Sequence, residues 1–145
     1  MEQQANQLIE LTGNEKNYLY NFAVGFCKVG AYAKALPFFR YLLLKDPLNQ
    51  LYLKGLAGAL HGSEEYLDAL VCYDTAYALF SDENADLLYY MANCAISLKN
   101  EAMTKAYLEK YLAAVNDKAG KLSKVQLKMQ KRAELLLKSL PEVQS

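Results

Sequence analysis

Apolar residues recur along this chain at the spacing of one helix face, and they do so three times. Leu19, Phe22, Ala23 and Phe26 stand at i, i+3, i+4 and i+7. Leu53, Leu56, Ala57 and Leu60 repeat the set 34 residues on, and Leu88, Met91, Ala92 and Ala95 repeat it 35 residues further. Each set puts alanine at the same place, where a small side chain lets a second helix approach closely. A second helix follows each first one: Tyr32, Ala35, Phe39, Leu42, then Tyr66, Ala69, Tyr73, Ala76, then a weaker copy in Glu101, Thr104, Leu108, Tyr111. A repeat of this length predicts stacked helix pairs.

Short polar breaks separate the segments. Val29-Gly30-Ala31, Gly62-Ser63-Glu64-Glu65 and Leu98-Lys99-Asn100 fall within the pairs; Asp46-Pro47-Leu48-Asn49 and Ser81-Asp82-Glu83-Asn84 fall between them. Asp46-Pro47 stops one helix, Pro47 is a good opener for the next, and Ser81 or Asp82 is the expected N-cap of the third unit. The spacing predicts helices at 3–12, 16–29, 32–45, 48–62, 66–80, 84–98, 101–115 and 119–139, with repeats at about 16–48, 49–83 and 84–117. No segment alternates with period two, so no strand is expected. Pro37 falls inside a predicted helix and should remove a hydrogen bond or kink it.

These residues resemble the tetratricopeptide repeat, with its small residue midway along the first helix, then Gly-x-Tyr-x-x-Ala, an aromatic and Pro. The first unit supplies Ala23, Gly30-Ala31-Tyr32-Ala33-Lys34-Ala35, Phe39 and Pro47. The second supplies Ala57, Tyr66, Ala69 and Tyr73, with Glu64 and Ser81 where Gly and Pro would stand; the third keeps Ala92. The resemblance covers residues 16–115 and implies an all-α fold. Three tetratricopeptide-like helix pairs would form a short right-handed solenoid, with a short N-terminal helix and a capping helix at about 119–139, as one domain over 1–145.

A narrower resemblance lies in Leu51-Tyr52-Leu53-Lys54-Gly55-Leu56-Ala57-Gly58-Ala59, Tyr66-x-x-Ala69-x-x-x-Tyr73 and Ala92-Asn93-Cys94-Ala95-Ile96-Ser97-Leu98. With three repeats and flanking helices, the chain is similar to the class II chaperones of bacterial type III secretion. That resemblance implies a client, a secreted translocator or effector, held as an extended segment in a concave groove and kept soluble before export. The family's N-terminal dimerisation region is shortened here, which implies at most a weak homodimer. The alternative within the same fold is an adaptor joining folded proteins in a complex.

In stacked helix pairs the first helix of each pair lines the concave side. The faces left over from packing within the pairs carry Asn17, Tyr20, Asn21, Val24, Cys27 and Lys28 in the first unit. Leu51, Lys54, Gly55, Gly58, His61 and Gly62 follow in the second, and Asp86, Tyr89, Tyr90, Asn93, Ile96 and Ser97 in the third. The groove residues expected to touch a partner are Asn17, Tyr20, Asn21, Val24, Cys27, Lys54, Gly58, His61, Tyr89, Tyr90 and Asn93. Tyrosines beside small residues make apolar pockets with hydroxyls at the rim, and Asn side chains can bond the main chain of an extended peptide. The cationic clamp that grips a C-terminal carboxylate in some tetratricopeptide domains is absent, since Tyr20, Val24, Gly55, Asp86 and Tyr90 occupy its places. Tyr20, Tyr89 and Tyr90 have an alternative as core residues under the terminal helices.

Composition narrows the function further. The apolar fraction of 53% is enough for a folded core in 145 residues. The formal charge is zero but unevenly spread: residues 1–117 hold nine Lys/Arg against fourteen Asp/Glu, a net of −5, and 118–145 hold seven against two, a net of +5. A basic helix of this kind caps the last repeat and offers a solvated or partner-facing patch, with membrane-surface binding as a further use. No continuous basic surface for nucleic acid is expected.

Cys27, Cys72 and Cys94 lie in apolar helical pattern without CxxC spacing and fit a reducing, cytoplasmic compartment. No secretory signal or apolar run of membrane-spanning length is read, so a soluble bacterial protein without membrane insertion is expected. The lone histidine, His61, has no clustered ligands for a metal and no nucleophile to serve. No phosphate-binding or hydrolase motif is present. The expectation is a binding protein without cofactor, metal or catalytic residues.

Overall fold

The computed structural model describes residues 12–118 and 120–141, and all regular structure among them is helical. The helices are α1 (Gly13–Lys28), α2 (Tyr32–Lys45), α3 (Gln50–Gly62), α4 (Tyr66–Phe80), α5 (Asp86–Ser97), α6 (Glu101–Asn116) and α7 (Lys124–Ser139), with a 3-10 turn at Ser81–Glu83 between α4 and α5. The fold class is all-α, as the periodicity predicts, and tetratricopeptide-like, as the resemblance implies. The N-terminal helix expected at 3–12 lies outside the described residues except for its last position, Thr12, which is extended.

Capping chemistry explains where several predicted boundaries move. Thr12 is an extended N-cap whose hydroxyl accepts from the Glu15 amide while the Glu15 carboxylate accepts from the Thr12 amide, so α1 starts three residues earlier than the apolar pattern. Asn49 caps α3 by accepting from the Tyr52 amide at 3.2 Å, which leaves Pro47 in the turn instead of opening the helix. Neither Ser81 nor Asp82 caps α5. They sit in the 3-10 turn, and the buried Asn84 donates its amide to the Phe80 carbonyl at 2.9 Å. The C-terminal helix starts at Lys124, not 119, because Ser123 and Gln126 form a capping box. Helix α2 runs through Pro37, an exposed residue between the buried Leu36 and the half-buried Phe38, so the missing N–H does not end the helix.

One feature of the repeat survives where its sequence does not. Gly30 closes the break between α1 and α2 with φ of 77°. At the equivalent places Glu64 and Lys99 also adopt left-handed backbone, with φ of 64° and 57°. The same bond forms in all three: Gly30 N to Cys27 O, Glu64 N to His61 O, Lys99 N to Ile96 O, each between 2.9 and 3.1 Å. A non-glycine residue there is strained by about 1 kcal/mol, and the turn is kept regardless.

The chain divides into two compact units, one running to Glu64 and the other beginning at Glu65. The division falls between α3 and α4, inside the second sequence repeat. In the first unit α1 and α2 pack together, α2 packs on α3, and α1 also touches α3. Its core holds Ala23, Ala35, Phe39, Leu42, Leu56 and Ala57, with the three alanines fully buried. Glycine serves the same purpose twice on α3. A Cβ built at Gly55 would overlap the Phe39 ring, and one at Gly62 would overlap the Tyr32 ring.

In the second unit α5 is flanked by α4 and α6, and α7 lies on α6 with Ala133 buried. Leu87, Leu88, Met91, Ala92, Cys94, Leu108 and Tyr111 form its centre. Burying each large side chain contributes about 1.5–3 kcal/mol, so α5 and α6 anchor this unit.

Candidate protein-binding faces

In the first unit the predicted residues lie on two helices that touch. Along α1, Asn17 and Asn21 are exposed, and Tyr20, Val24 and Cys27 are half-buried. The Tyr20 ring sits 5.8 Å from that of Tyr52 and 6.1 Å from that of Phe39, edge-on to the latter. It therefore joins α1 to both α2 and α3 while keeping part of its surface in solvent. Burial raises the pKa of its hydroxyl, with a smaller contribution from Cys27, so the group remains a proton donor at neutral pH. Burial likewise raises the Cys27 thiol, which leaves it a small apolar contact rather than a reactive thiolate.

On α3 the positions Lys54, Gly58 and His61 are all half-buried and share one face by their spacing. Gly58 differs from Gly55 and Gly62: a Cβ added there meets nothing within 4 Å. The space above it is open. Gly55 and Gly62, read from the sequence as part of this face, are instead seats for the Phe39 and Tyr32 rings. His61, in the last turn of α3, has its pKa lowered by burial and is neutral at physiological pH. Leu51, one turn before Lys54, is exposed and adds an apolar side chain to the same face.

In the second unit the predicted residues part company. Tyr89 is only 6% exposed and its ring lies 5.5 Å from that of Tyr111. Its expected place as a groove anchor is corrected to the core, because α5 has neighbours on both sides. Tyr90 is 38% exposed and stacks on Tyr73 at 5.8 Å with an interplanar angle of 23°. Tyr73, Tyr90, Tyr89 and Tyr111 thus form a ladder of rings in which Tyr90 reaches solvent. Asn93 is half-buried beside it and Ile96 is exposed one turn on.

The supporting roles of Tyr73 and Tyr111 were not read from the sequence. The one signal for Tyr73 is that it repeats Phe39, the aromatic of the first unit. Burial raises the Tyr73 hydroxyl, and it pushes that of Tyr111 up to about 12 with help from Asp86, so both rings stay neutral.

Other features carry less chemistry. A cleft of about 390 Å³ opens at the start of α1 among Asn14, Glu15, Tyr18 and Leu19. The buried Cys94 thiol is pushed up to about 11 by desolvation. Among the described residues no group of three or more His, Cys, Asp or Glu could hold a metal ion, and no helix is long and apolar enough to cross a membrane. The two faces offer apolar contact and hydrogen bonding, which is the chemistry of protein recognition.

No family model matches the chain. Solved structures share its fold. The type III secretion translocator chaperone SycD of Yersinia enterocolitica superposes with a TM-score of 0.78 at 18% identity, covering 94% of this chain and 90% of that one. SycD in complex with a peptide of the translocator YopD gives 0.78 at 18% identity, over 90% and 95% of the two chains. PcrH, a Pseudomonas aeruginosa protein, in complex with the chaperone binding region of PopD gives 0.77 at 17% identity, over 90% and 93%. At such identities the likeness is one of fold.

Proposed function

We propose that this chain is a type III secretion chaperone that binds an extended segment of a secreted translocator or effector and keeps it soluble before export. The observation that carries most weight is the fold match over nine-tenths of both chains to SycD holding a YopD peptide. The faces of this chain fit the role by their own chemistry. On α1 and α3, Tyr20, Val24 and Cys27 offer apolar contact, Asn17 and Asn21 can bond a peptide main chain, and the space over Gly58 admits a client side chain between Lys54 and His61. On α5, Tyr90 and Asn93 offer a separate contact of the same kind. Binding is by equilibrium burial of client anchors, with no covalent step.

Co-purification of a tagged copy from the native bacterium, with mass spectrometry, tests this reading. One dominant secretion-associated protein that is insoluble without this chain is the expected result. Several soluble, folded partners unaffected by its deletion would instead identify an adaptor. Once the client is known, Tyr20→Ala should weaken binding by about 1–3 kcal/mol and Gly58→Leu should block it by filling the open space. Unchanged affinity in both variants would move the client off this face.

A further inference from the structure

Among the described residues, the outer face of α7 is a strongly charged surface that the chaperone reading leaves without a task. Residues 118–133 hold Lys118, Lys121, Lys124, Lys128, Lys131 and Arg132 and no acidic residue. All six are exposed, and none makes an ion pair with another described residue. At about 100° per residue, Lys124, Lys128, Lys131 and Lys138 fall within a sector of roughly 80° on α7. Leu135 lies in the middle of that sector and is 68% exposed; Leu127 and Val125, also exposed, flank it. Ala133, on the opposite side, is fully buried and pins the helix to its unit.

We propose that this face docks on an anionic lipid bilayer. The arrangement is that of an interfacial helix: a row of ammonium groups on flexible stems around exposed aliphatic side chains, so that head groups and acyl boundary are met together. A single helix is convex and about 24 Å long, so it offers a plane a line of contact but gives an extended peptide no cleft. Nucleic acid would use the lysines and leave Leu135 and Val125 in water. Charge complementarity also orients the molecule, since residues 118–145 carry +5 and residues 1–117 carry −5. An anionic surface attracts only the C-terminal part. The proposal goes beyond client binding and does not depend on it.

The full chain, without client, should co-sediment with phosphatidylcholine vesicles containing about one-third phosphatidylglycerol, and release as salt is raised. It should not sediment with pure phosphatidylcholine. Replacing Lys128 and Lys131 by Gln should lower partitioning about 25-fold, at about fivefold for each lysine. Leu135→Ser should give a smaller loss, and melting temperature should hold in both variants because these side chains face away from Ala133. Absence of binding to the anionic vesicles, equal binding to neutral ones, or full binding by the double variant would overturn the proposal. So would tighter binding to polyglutamate or duplex DNA than to vesicles at equal charge, which would identify an acidic protein or a nucleic acid as the partner.

Discussion

Leu19, Phe22 and Ala23 of α1 stand at the same repeat positions as Leu88, Met91 and Ala92 of α5, yet the two helices are buried to very different depths. Phe22 is 50% exposed where Met91 is 1% exposed, and Ala23 is the one buried residue of α1 where α5 has seven. Helix α5 packs closely on both α4 and α6, whereas among the described residues α1 packs closely on α2 and only touches α3. The repeat pattern decides which side chains share a face, and how closely neighbours pack on each side decides how much of that face leaves water. Tyr20 and Tyr89 show the consequence, since they occupy one repeat position and serve as a half-exposed contact and a core ring.

Exchanging these tyrosines for alanine is the strongest way to break the comparison. Tyr89→Ala should cost about 3–5 kcal/mol in urea denaturation, as for a buried aromatic. Tyr20→Ala should cost less than half of that and report mainly in client affinity. Equal losses would mean that α1 is as deeply packed as α5.

The glycines of α3 sharpen it next. The Phe39 ring rests on Gly55, and at the corresponding place in the second unit the Tyr73 ring stacks on Tyr90. Gly55→Ala should therefore destabilise the fold by about 1–3 kcal/mol through overlap with Phe39. Gly58→Ala should stabilise it by up to about 1 kcal/mol, because the helix gains propensity and the methyl meets nothing. Thermal melts of the two variants should shift in opposite directions.

Smaller gains are expected from two strained places. Lys99→Gly should add about 1 kcal/mol by relieving left-handed backbone at the turn that Gly30 already makes freely. The buried Tyr111 hydroxyl has no hydrogen-bond partner among the described residues, so Tyr111→Phe should leave stability unchanged or raise it by about 1 kcal/mol. A loss of stability in either variant would show a contact that the geometry does not contain.

The smallest effect concerns His61. Its folded pKa is lowered from 6.5 by burial, so the unfolded chain takes up the proton first as pH falls. Its contribution is fully present above 6.5, declines as pH drops through 6.5 towards the folded value, and is level below that. His61→Gln should remove this slope from denaturation curves taken between about pH 8 and about pH 5.

Much of the fold was legible because helical periodicity is a local property. The sets around Ala23, Ala57 and Ala92 give the register of three helices, and those alanines are fully buried. Capping was legible only in part. Ser123 with Gln126 is a capping box in the sequence, but the predicted helix also takes in Gly120, Lys121 and Leu122, which the cap leaves outside. The turns at Glu64 and Lys99 were not legible as left-handed, because neither residue prefers that conformation. Of the candidate site, Asn17, Tyr20, Asn21, Val24, Cys27, Lys54, Gly58, His61, Tyr90 and Asn93 are exposed or half-buried, and Tyr89 is buried.

By itself, then, the sequence determined the helices, their order, the faces that turn inward and the absence of a recognisable catalytic motif, since each follows from residue spacing along one chain. Tertiary structure alone decided which glycine is a seat for a ring and which is open, which tyrosine is core and which is surface, and where non-glycine residues must bend left-handed. Those outcomes depend on what stands opposite a side chain in space, and residues as far apart in the chain as Phe39 and Gly55, or Tyr73 and Tyr90, settle them by contact.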